Sequence, residues 1–329
     1  MRMILGIECT AHTLGMGIVL RGRVLANVKD MYKTEKGGII PLEAAKHHRE
    51  TAERIYNEVL TKAGISEEKI RAIALSNAPG LAPCLLEGLE FAREKARKLN
   101  IEIIPVNHCI AHLEIGQSLG AKDPVLLYVS GANTQIIAFA GGKYRVFGET
   151  LDIGVGNFLD KFARHIGCGF PGGPFIEKLA RQAKEKNMPY IELPYVVKGI
   201  DVSFSGLLTK LQQLFDSGID ARQLSYSLQE TAFAMLVEAA ERAIAHTGKK
   251  ELVLGGGVAC NKRLQEMCKI MCRERRAKCF IPGNDFLTDN GAMIAYTGEI
   301  IFNAGIRVNF DKLDIKPRER TDEVDVNWK

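Results

Sequence analysis

The sequence lacks long apolar runs and paired cysteines. No apolar run approaches the roughly 20 residues that a membrane helix needs, and the 8 cysteines are scattered along the chain without a CxxC pair. Nor does the start of the chain show an apolar signal core followed by a small-residue cleavage site. These absences argue against a disulfide scaffold or a zinc ribbon. We therefore expect a soluble, cytoplasmic protein with no membrane partner.

A strong charge of one sign is also lacking. The chain has 44 basic and 39 acidic side chains, which gives a formal net charge of +5. This small excess is compatible with a nucleic-acid partner but does not establish one. With 329 residues, of which 46% are hydrophobic and 25% charged, the composition is globular and the length suggests about two domains.

Short β-rich runs alternate with longer helical runs in the first third of the chain. The predicted strands are 3–9, 15–20, 24–31, 70–76 and 101–106, and the predicted helices are 42–63 and 85–99. Alternation of this kind favours an α/β protein, in which helices cover the faces of a sheet.

A related pattern occurs twice. Residues 4–10 form a predicted strand that ends in a small polar turn, and residues 126–134 repeat this arrangement. In both copies a second strand returns, and a glycine-containing reversal leads to a third. We predict a duplicated α/β fold with subdomains at 1–120 and 121–329, a nucleotide cleft between them, and a final helix and tail that could pack back on the first. The alternative is that any two α/β halves look alike at this level.

Another glycine-rich turn, at 255–261, follows a predicted strand at 251–254 and opens a predicted helix at 262–276. Unpaired backbone amides and the helix dipole converge at such a turn, which makes it suitable for an anion. The turn matches neither the GxGxxG nor the GxxxxGK[ST] phosphate-binding pattern. It therefore favours a nucleotide site.

His108 and His112 have the i, i+4 spacing of a metal-binding pair, because a helix that begins here places both imidazoles on one face. A metallopeptidase of the HExxH type needs a glutamate directly after the first histidine, but Cys109 stands there. Further ligands could come from Asp289 and Tyr128, and imidazole with oxygen ligands suits iron or zinc. The alternatives are a solvated helix face for the histidines, a helix cap for Asp289 and a core position for Tyr128.

Four other polar residues admit a structural as well as a functional interpretation. Asp160 and Glu177 lie beside glycine-containing turns, where carboxylates could accept hydrogen bonds from ribose hydroxyls or cap helices. His47 and His48 are adjacent, so a helix would point them in different directions. For this histidine pair we expect a polar surface.

Nine ordered blocks of sequence, taken together, point to a known family. They are 38–48, 79–85, 107–112, 127–135, 148–153, 171–174, 197–206, 255–261 and 289–295. In these blocks the chain resembles the universal tRNA threonylcarbamoyltransferases, which are relatives of bacterial TsaD and the catalytic subunits of the archaeal and eukaryotic KEOPS complex. Several details look more like the archaeal branch than the bacterial one.

The resemblance implies a fold and a set of site residues. The fold is the duplicated architecture shared by actin, heat-shock chaperone ATPases and sugar kinases (ASKHA). The implied metal ligands are His108, His112, Tyr128 and Asp289, with iron as the usual metal and zinc as the alternative. The implied cleft for threonylcarbamoyl-AMP, ATP or AMP consists of Tyr128, Val129, Ser130, Gly131, Ala132, Asp160, Gly173, Glu177 and Asn261. Ala132 stands where the family usually has glycine, and its Cβ would be strained if φ were positive there.

The resemblance also implies a reaction. The threonylcarbamoyl group passes from threonylcarbamoyl-AMP to N6 of the adenosine immediately 3′ of the anticodon, in tRNAs that read codons beginning with A. The implied partners are tRNA, a small kinase or ATPase subunit of the KEOPS type, and small accessory subunits. The sequence identifies no general base. Two rival functions stay open here: a nucleotide-dependent binding or chaperone-like module on the same fold and, with less support, a metallopeptidase.

Overall fold

The computed structural model describes residues 3–34, 38–306, 308 and 311–329. Its strands are β1 Met3–Glu8, β2 Thr13–Leu20, β3 Arg23–Met31, β4 Ile70–Ala78, β5 Glu102–Asn107, β6 Val125–Val129, β7 Thr134–Ala140, β8 Lys143–Glu149, β9 Val197–Lys198, β10 Asp201–Val202, β11 Glu251–Gly255 and β12 Lys278–Phe280. Its helices are α1 Pro41–Ala63, α2 Ala82–Leu99, α3 His108–Glu114, α4 Val155–His165, α5 Gly173–Glu185, α6 Ser205–Asp216, α7 Ala221–Thr247, α8 Lys262–Glu274, α9 Asn284–Leu287 and α10 Gly291–Asn303. The predicted strands and helices agree with these bounds to within a few residues.

The chain divides into two compact units. The first contains residues 1–120, 141–144 and 288–329, and the second contains residues 121–140 and 145–287. The last helix, α10, therefore belongs to the first unit, where it packs against β1, β2, β4 and α3.

The first unit is built on a mixed sheet with the strand order β3-β2-β1-β4-β5. The first three strands form an antiparallel meander, and β4 and β5 continue it in parallel. Side chains alternate between the two faces of each strand, so Leu5 and Ile7 join Ile55 and Val59 of α1 in one apolar core. Residues on the opposite face of β1 lie beneath α10.

Glycines allow α10 to lie directly on the sheet. A Cβ added at Gly6 would come 2.1 Å from the carbonyl oxygen of Gly291, and one added at Gly17 would come 2.4 Å from the amide nitrogen of Ala292. No side chain fits between backbones this close. The glycines therefore fix the height of the first turn of α10 above β1 and β2, and with it the position of the residues just before that turn.

The second unit has the strand order β12-β11-β6-β7-β8, which repeats the order of the first. Its first two strands pair antiparallel, and β11 and β12 extend the sheet in parallel. This repetition confirms the predicted duplicated α/β fold. The core of this unit includes Phe158 of α4 stacked on Phe204, with ring centroids 5.4 Å apart. Among the described residues, no helix is both long and apolar enough to cross a membrane.

Candidate active site

The helix α3 begins directly at the end of β5, where Asn107 serves as its N-cap. The Asn107 Oδ1 atom accepts hydrogen bonds from the amides of Cys109, at 3.1 Å, and Ile110, at 3.4 Å. His108 and His112 then follow on one face, with their rings edge to face and the centroids 4.8 Å apart. Both histidines are buried. The alternative of a solvated helix face is therefore wrong.

Asp289 approaches the two histidines from the segment that leads into α10. The N-cap of this helix is Asn290, whose Oδ1 accepts from the amide of Met293 at 3.0 Å. The capping interpretation of Asp289 is therefore wrong. Instead, its Oδ1 atom lies 3.4 Å from Nε2 of His108 and 3.5 Å from Nε2 of His112.

These three side chains form a donor set that fits a transition metal. One nitrogen from each imidazole and one carboxylate oxygen lie within 4.8 Å of one another, a combination that suits iron or zinc better than calcium or magnesium. Burial lowers the pKa of His112, which keeps its imidazole neutral and able to coordinate. Burial opposes ionisation of Asp289, but the electrostatic influence of the adjacent His108 and His112 outweighs it and holds the pKa of Asp289 well below its usual range.

Glu8, at the end of β1, orients the first histidine. Its Oε2 lies 2.8 Å from Nδ1 of His108, and its Oε1 accepts from both the amide, at 2.8 Å, and the hydroxyl, at 2.5 Å, of Thr10. With Nδ1–H directed at a carboxylate, the Nε2 lone pair of His108 faces Asp289. Sequence reasoning missed Glu8. The available signal was a glutamate that ends an otherwise apolar strand.

Tyr128, the fourth predicted ligand, lies in the second unit. It is buried in β6, where it pairs with Gly255 of β11. Its burial agrees with the core interpretation, and its role as a ligand stays a prediction. The structure thus brings together His108, His112 and Asp289 within the first unit.

In the second unit, the turn after β6 lies against the glycine turn that follows β11. Gly256 has φ +91° and ψ 158°, and a Cβ there would come 2.3 Å from the carbonyl oxygen of Val129. The β6 turn closes through a hydrogen bond of 2.8 Å from the amide of Ser130 to the carbonyl of Asn133. Ala132 is exposed in this turn, and it is not among the described non-glycine residues with positive φ. The alanine therefore causes no backbone strain.

Asp160 is placed beside the start of α5. Its Oδ1 accepts a hydrogen bond of 2.6 Å from the amide of Gly172, the residue that precedes the helix. Gly173, a predicted cleft residue, is the first residue of α5. Asp160 thus accepts from the N-cap residue of α5 without being a cap itself, and contact of Asp160 with a ribose stays a prediction.

Asn261 and Glu177 meet at the start of α8. Asn261 Oδ1 accepts from the amide of Arg263 at 2.9 Å, and its Nδ2 donates to Gln229 at 3.0 Å. The Oε1 atom of Glu177 accepts from the amide of Lys262 at 2.9 Å. Both predicted cleft residues thus accept hydrogen bonds from amides at the start of α8, and contact of either residue with a nucleotide stays a prediction.

The expected polar surface at His47 and His48 is wrong for His48. That residue is only 1% exposed, because the buried face of α1 that holds Ala44, Ala45 and Ala52 also includes position 48. Burial and the neighbouring charge of His47 lower the pKa of His48 to about 4. His47 lies at the edge of this face, with Nε2 3.2 Å from the carboxylate of Asp30.

The fold is similar to that of solved proteins of low sequence identity. HypF in its phosphate- and nucleotide-bound form matches 91% of this chain with a TM-score of 0.62 and 11% identity, over 56% of its own length. Component A of (R)-2-hydroxyglutaryl-CoA dehydratase from Acidaminococcus fermentans matches 90% of this chain and 98% of its own, with a TM-score of 0.55 and 13% identity. The molecule therefore has the α/β fold shared by actin, heat-shock chaperones and sugar kinases, with a histidine-aspartate centre in its first unit.

Comparison with sequence families then gives the particular family. The family model for TsaD, tRNA N6-adenosine threonylcarbamoyltransferase, matches residues 23–296. The enzyme of that name from Thermococcus kodakarensis is 55% identical over 325 residues, 98% of this chain and 99% of its own. A probable bifunctional tRNA threonylcarbamoyladenosine biosynthesis protein from Methanosarcina mazei is 51% identical over 329 residues, which are 59% of its length.

The chain belongs to the tRNA N6-adenosine threonylcarbamoyltransferase family. It is a transferase that places a threonylcarbamoyl group on N6 of an adenosine in tRNA. The function and the family predicted from the sequence are thereby confirmed, and the rival module and peptidase interpretations are set aside.

Proposed function

We propose that the threonylcarbamoyl group comes from threonylcarbamoyl-AMP and goes to the adenosine immediately 3′ of the anticodon, in tRNAs that read codons beginning with A. N6 of the adenosine attacks the carbonyl carbon, the bond from that carbon to the phosphate oxygen breaks, and AMP leaves while N6 loses a proton. The observation that carries this proposal is the convergence of His108, His112 and Asp289 in a buried centre. We further propose that the reaction takes place in the cytoplasm.

Three of the proposed metal ligands belong to the first unit. His108, His112 and Asp289 would hold the metal, and the family resemblance supports Tyr128 as the fourth ligand. When bound, iron, or alternatively zinc, would supply Lewis acidity for polarising the carbonyl of the transferred group. Glu8 holds His108 in the tautomer that presents Nε2.

We assign the adenylate to the turns of the second unit. The residues proposed to contact it are Tyr128, Val129, Ser130, Gly131, Ala132, Asp160, Gly173, Glu177 and Asn261. Two features support this assignment. Helices α5 and α8 both begin among these residues, and the positive end of a helix dipole favours an anion. HypF, which shares the fold, has been solved in a phosphate- and nucleotide-bound form.

The partners proposed are a kinase or ATPase subunit and small accessory subunits, as in a KEOPS-type assembly. The formal net charge of +5 is consistent with contacts to tRNA that are spread over several chains, because basic side chains on more than one subunit can contact phosphates. The Methanosarcina mazei relative is named as bifunctional and extends well beyond the matched part. That arrangement is consistent with a second activity that works beside the transferase.

The test is mass spectrometry of nucleosides from tRNA incubated with the protein, its partner subunits and preformed threonylcarbamoyl-AMP. The substitution Asp289→Asn keeps the size of the side chain but removes the anionic ligand. The rate of transfer should therefore fall at least about 100-fold. A loss of that size is the upper end of what is seen for residues that only support a metal ligand. Asp216→Asn is the matched control, because Asp216 lies 2.8 Å from His165 at an exposed position. Undiminished transfer by Asp289→Asn would contradict the proposed centre.

A further inference from the structure

Glu114 is the last residue of α3, two positions after His112, and it has no part in the reaction proposed above. Its side chain is fully buried. Three donors face its carboxylate: the hydroxyl of Tyr144, the side-chain amide of Gln117, and Nζ of Lys329 at 2.7 Å. A buried carboxylate is costly unless it is paired in this way.

Glu114 lies where α3 passes into a 3-10 turn, Ile115–Leu119, that continues the helical path. Helix α3 itself has only 7 residues, too few to be stable by itself. The groups that hold Asn107 and Glu114 at its two ends therefore affect how firmly His108 and His112 are held.

Segment 311–329 reaches both ends of this helix. Its path is fixed by backbone hydrogen bonds from Lys316 to Asn77, at 2.8 Å, and from Gly80 to Pro317, at 3.1 Å. At the start of α3, Nδ2 of the capping Asn107 lies 3.4 Å from Oε2 of Glu319. The segment thus touches the residue that begins the histidine helix.

At the other end of α3, Lys329 of the same segment contacts Glu114. The indole of Trp328 lies beside the ring of Tyr144, with centroids 6.4 Å apart, and Lys329 Nζ lies 5.0 Å from the centroid of that ring. Burial and the nearby Glu114 carboxylate raise the pKa of Tyr144, so its hydroxyl stays protonated and donates to Glu114. Two residues that lie far from Glu114 in sequence therefore contact its carboxylate. Lys329 supplies a cation, and Tyr144 supplies a neutral donor.

We propose that Lys329 is a positioning residue for the histidine centre. By pairing with Glu114 it fixes the end of α3, and segment 311–329 thereby sets how well His108 and His112 are preorganised to bind metal. The inference deepens the proposed function, since it rests on the metal role assigned to these histidines.

The first experiment is hydrogen exchange of the α3 amides in the metal-free protein. Lys329→Met should speed exchange in α3 about tenfold, because the buried Glu114 loses its cation. Lys95→Met is the matched control: Lys95 Nζ also lies 2.7 Å from a carboxylate, that of Glu53, but on α1 and α2. It should leave exchange in α3 unchanged. Exchange in Lys329→Met equal to that of the unmodified protein would overturn the proposal.

A double variant separates positioning from a general loss of folding. Glu114→Gln combined with Lys329→Met removes the buried anion together with its cation, so exchange in α3 should return close to that of the unmodified protein. This rescue would support the proposal even if Lys329→Met alone failed to fold. A double variant as impaired as the single one would overturn it.

The second readout is the affinity for Co²⁺ alone, followed by its visible absorption. Lys329→Met should weaken Co²⁺ binding about tenfold, at the low end of the range for residues that support metal ligands. Lys95→Met should bind Co²⁺ like the unmodified protein, whatever its thermal stability. If the unmodified protein bound no Co²⁺, the proposed metal centre would fail, and hydrogen exchange in the metal-free protein would still decide the role of Lys329.

Discussion

The two units share one strand order but organise the turn after their first strand differently. In the first unit, that turn is built around the buried carboxylate of Glu8, which binds Thr10 and His108. In the second, the turn is held by backbone groups, with the carbonyls of Ser130 and Gly131 accepting amides of α4. A duplicated scaffold can thus carry a charged side-chain centre in one copy and a turn held by backbone hydrogen bonds in the other.

The largest effect of a single substitution on either turn is expected at Gly256, in the second unit. Its φ and ψ lie in a region that only glycine adopts readily, and a Cβ there would meet the carbonyl of Val129. We expect Gly256→Ala to lower the free energy of unfolding by about 3 kcal/mol, as measured by urea denaturation.

Gly248→Ala provides the control for this change. Gly248 also has a positive φ, of +70°, but no atom lies within 4 Å of a Cβ added there. The Gly248→Ala substitution should lower the free energy of unfolding by only about 1 kcal/mol. Equal losses at the two positions would show that the close approach of the glycine turn to β6 is unimportant.

The first unit should be most sensitive at Glu8. Glu8→Gln keeps the shape of the side chain but weakens the hydrogen bond to Nδ1 of His108, so metal affinity should fall about 10- to 100-fold. The measurement is titration with Co²⁺. AMP affinity, measured by calorimetry on the same samples, should stay constant if the backbone-built turns bind the adenylate. A parallel loss of both affinities would argue against separate roles for the two turns.

A smaller effect should appear as pH dependence of stability in the first unit. The folded pKa of His48 is about 4, against 6.5 for an ordinary histidine, so below pH 6.5 the unfolded chain takes up a proton that the folded chain refuses. The contribution of His48 to the free energy of unfolding is therefore complete above pH 6.5 and is lost as the pH falls towards 4. The loss amounts to about 1 to 2 kcal/mol by pH 5. In urea unfolding, His48→Gln should have a flatter dependence on pH between 6.5 and 5. An unchanged slope would contradict the assignment.

Local patterns predicted much of this fold and part of the site. The strands, the helices and the spacing of His108 and His112 are properties of short stretches of sequence, so periodicity reveals them. The contact between Glu8 and His108 joins residues 100 positions apart, and no local pattern contains it. His48 was misjudged because adjacency shows that two side chains diverge but not which one faces the core.

The resemblance to a family supplied what local patterns could not. Spacing offered Asp289 only as a candidate beside a helix cap, whereas the resemblance named it as a ligand, and the structure places it at the two histidines. Neither source indicated the pairing of Glu114 with Lys329, which joins two distant charged residues through folding of the chain.

The direct contact of α10 with the sheet also bears on how variants of this protein should be interpreted. None of the three glycines at this contact, Gly6, Gly17 and Gly291, has a side chain that could bind a metal. They nevertheless set the height of the helix that follows Asp289. Adding a single methyl group at any of them would lift that helix and draw the carboxylate away from the histidines. Alanine substitutions that look conservative in an alignment can therefore inactivate the centre from beneath the helix, without altering a residue of the site itself.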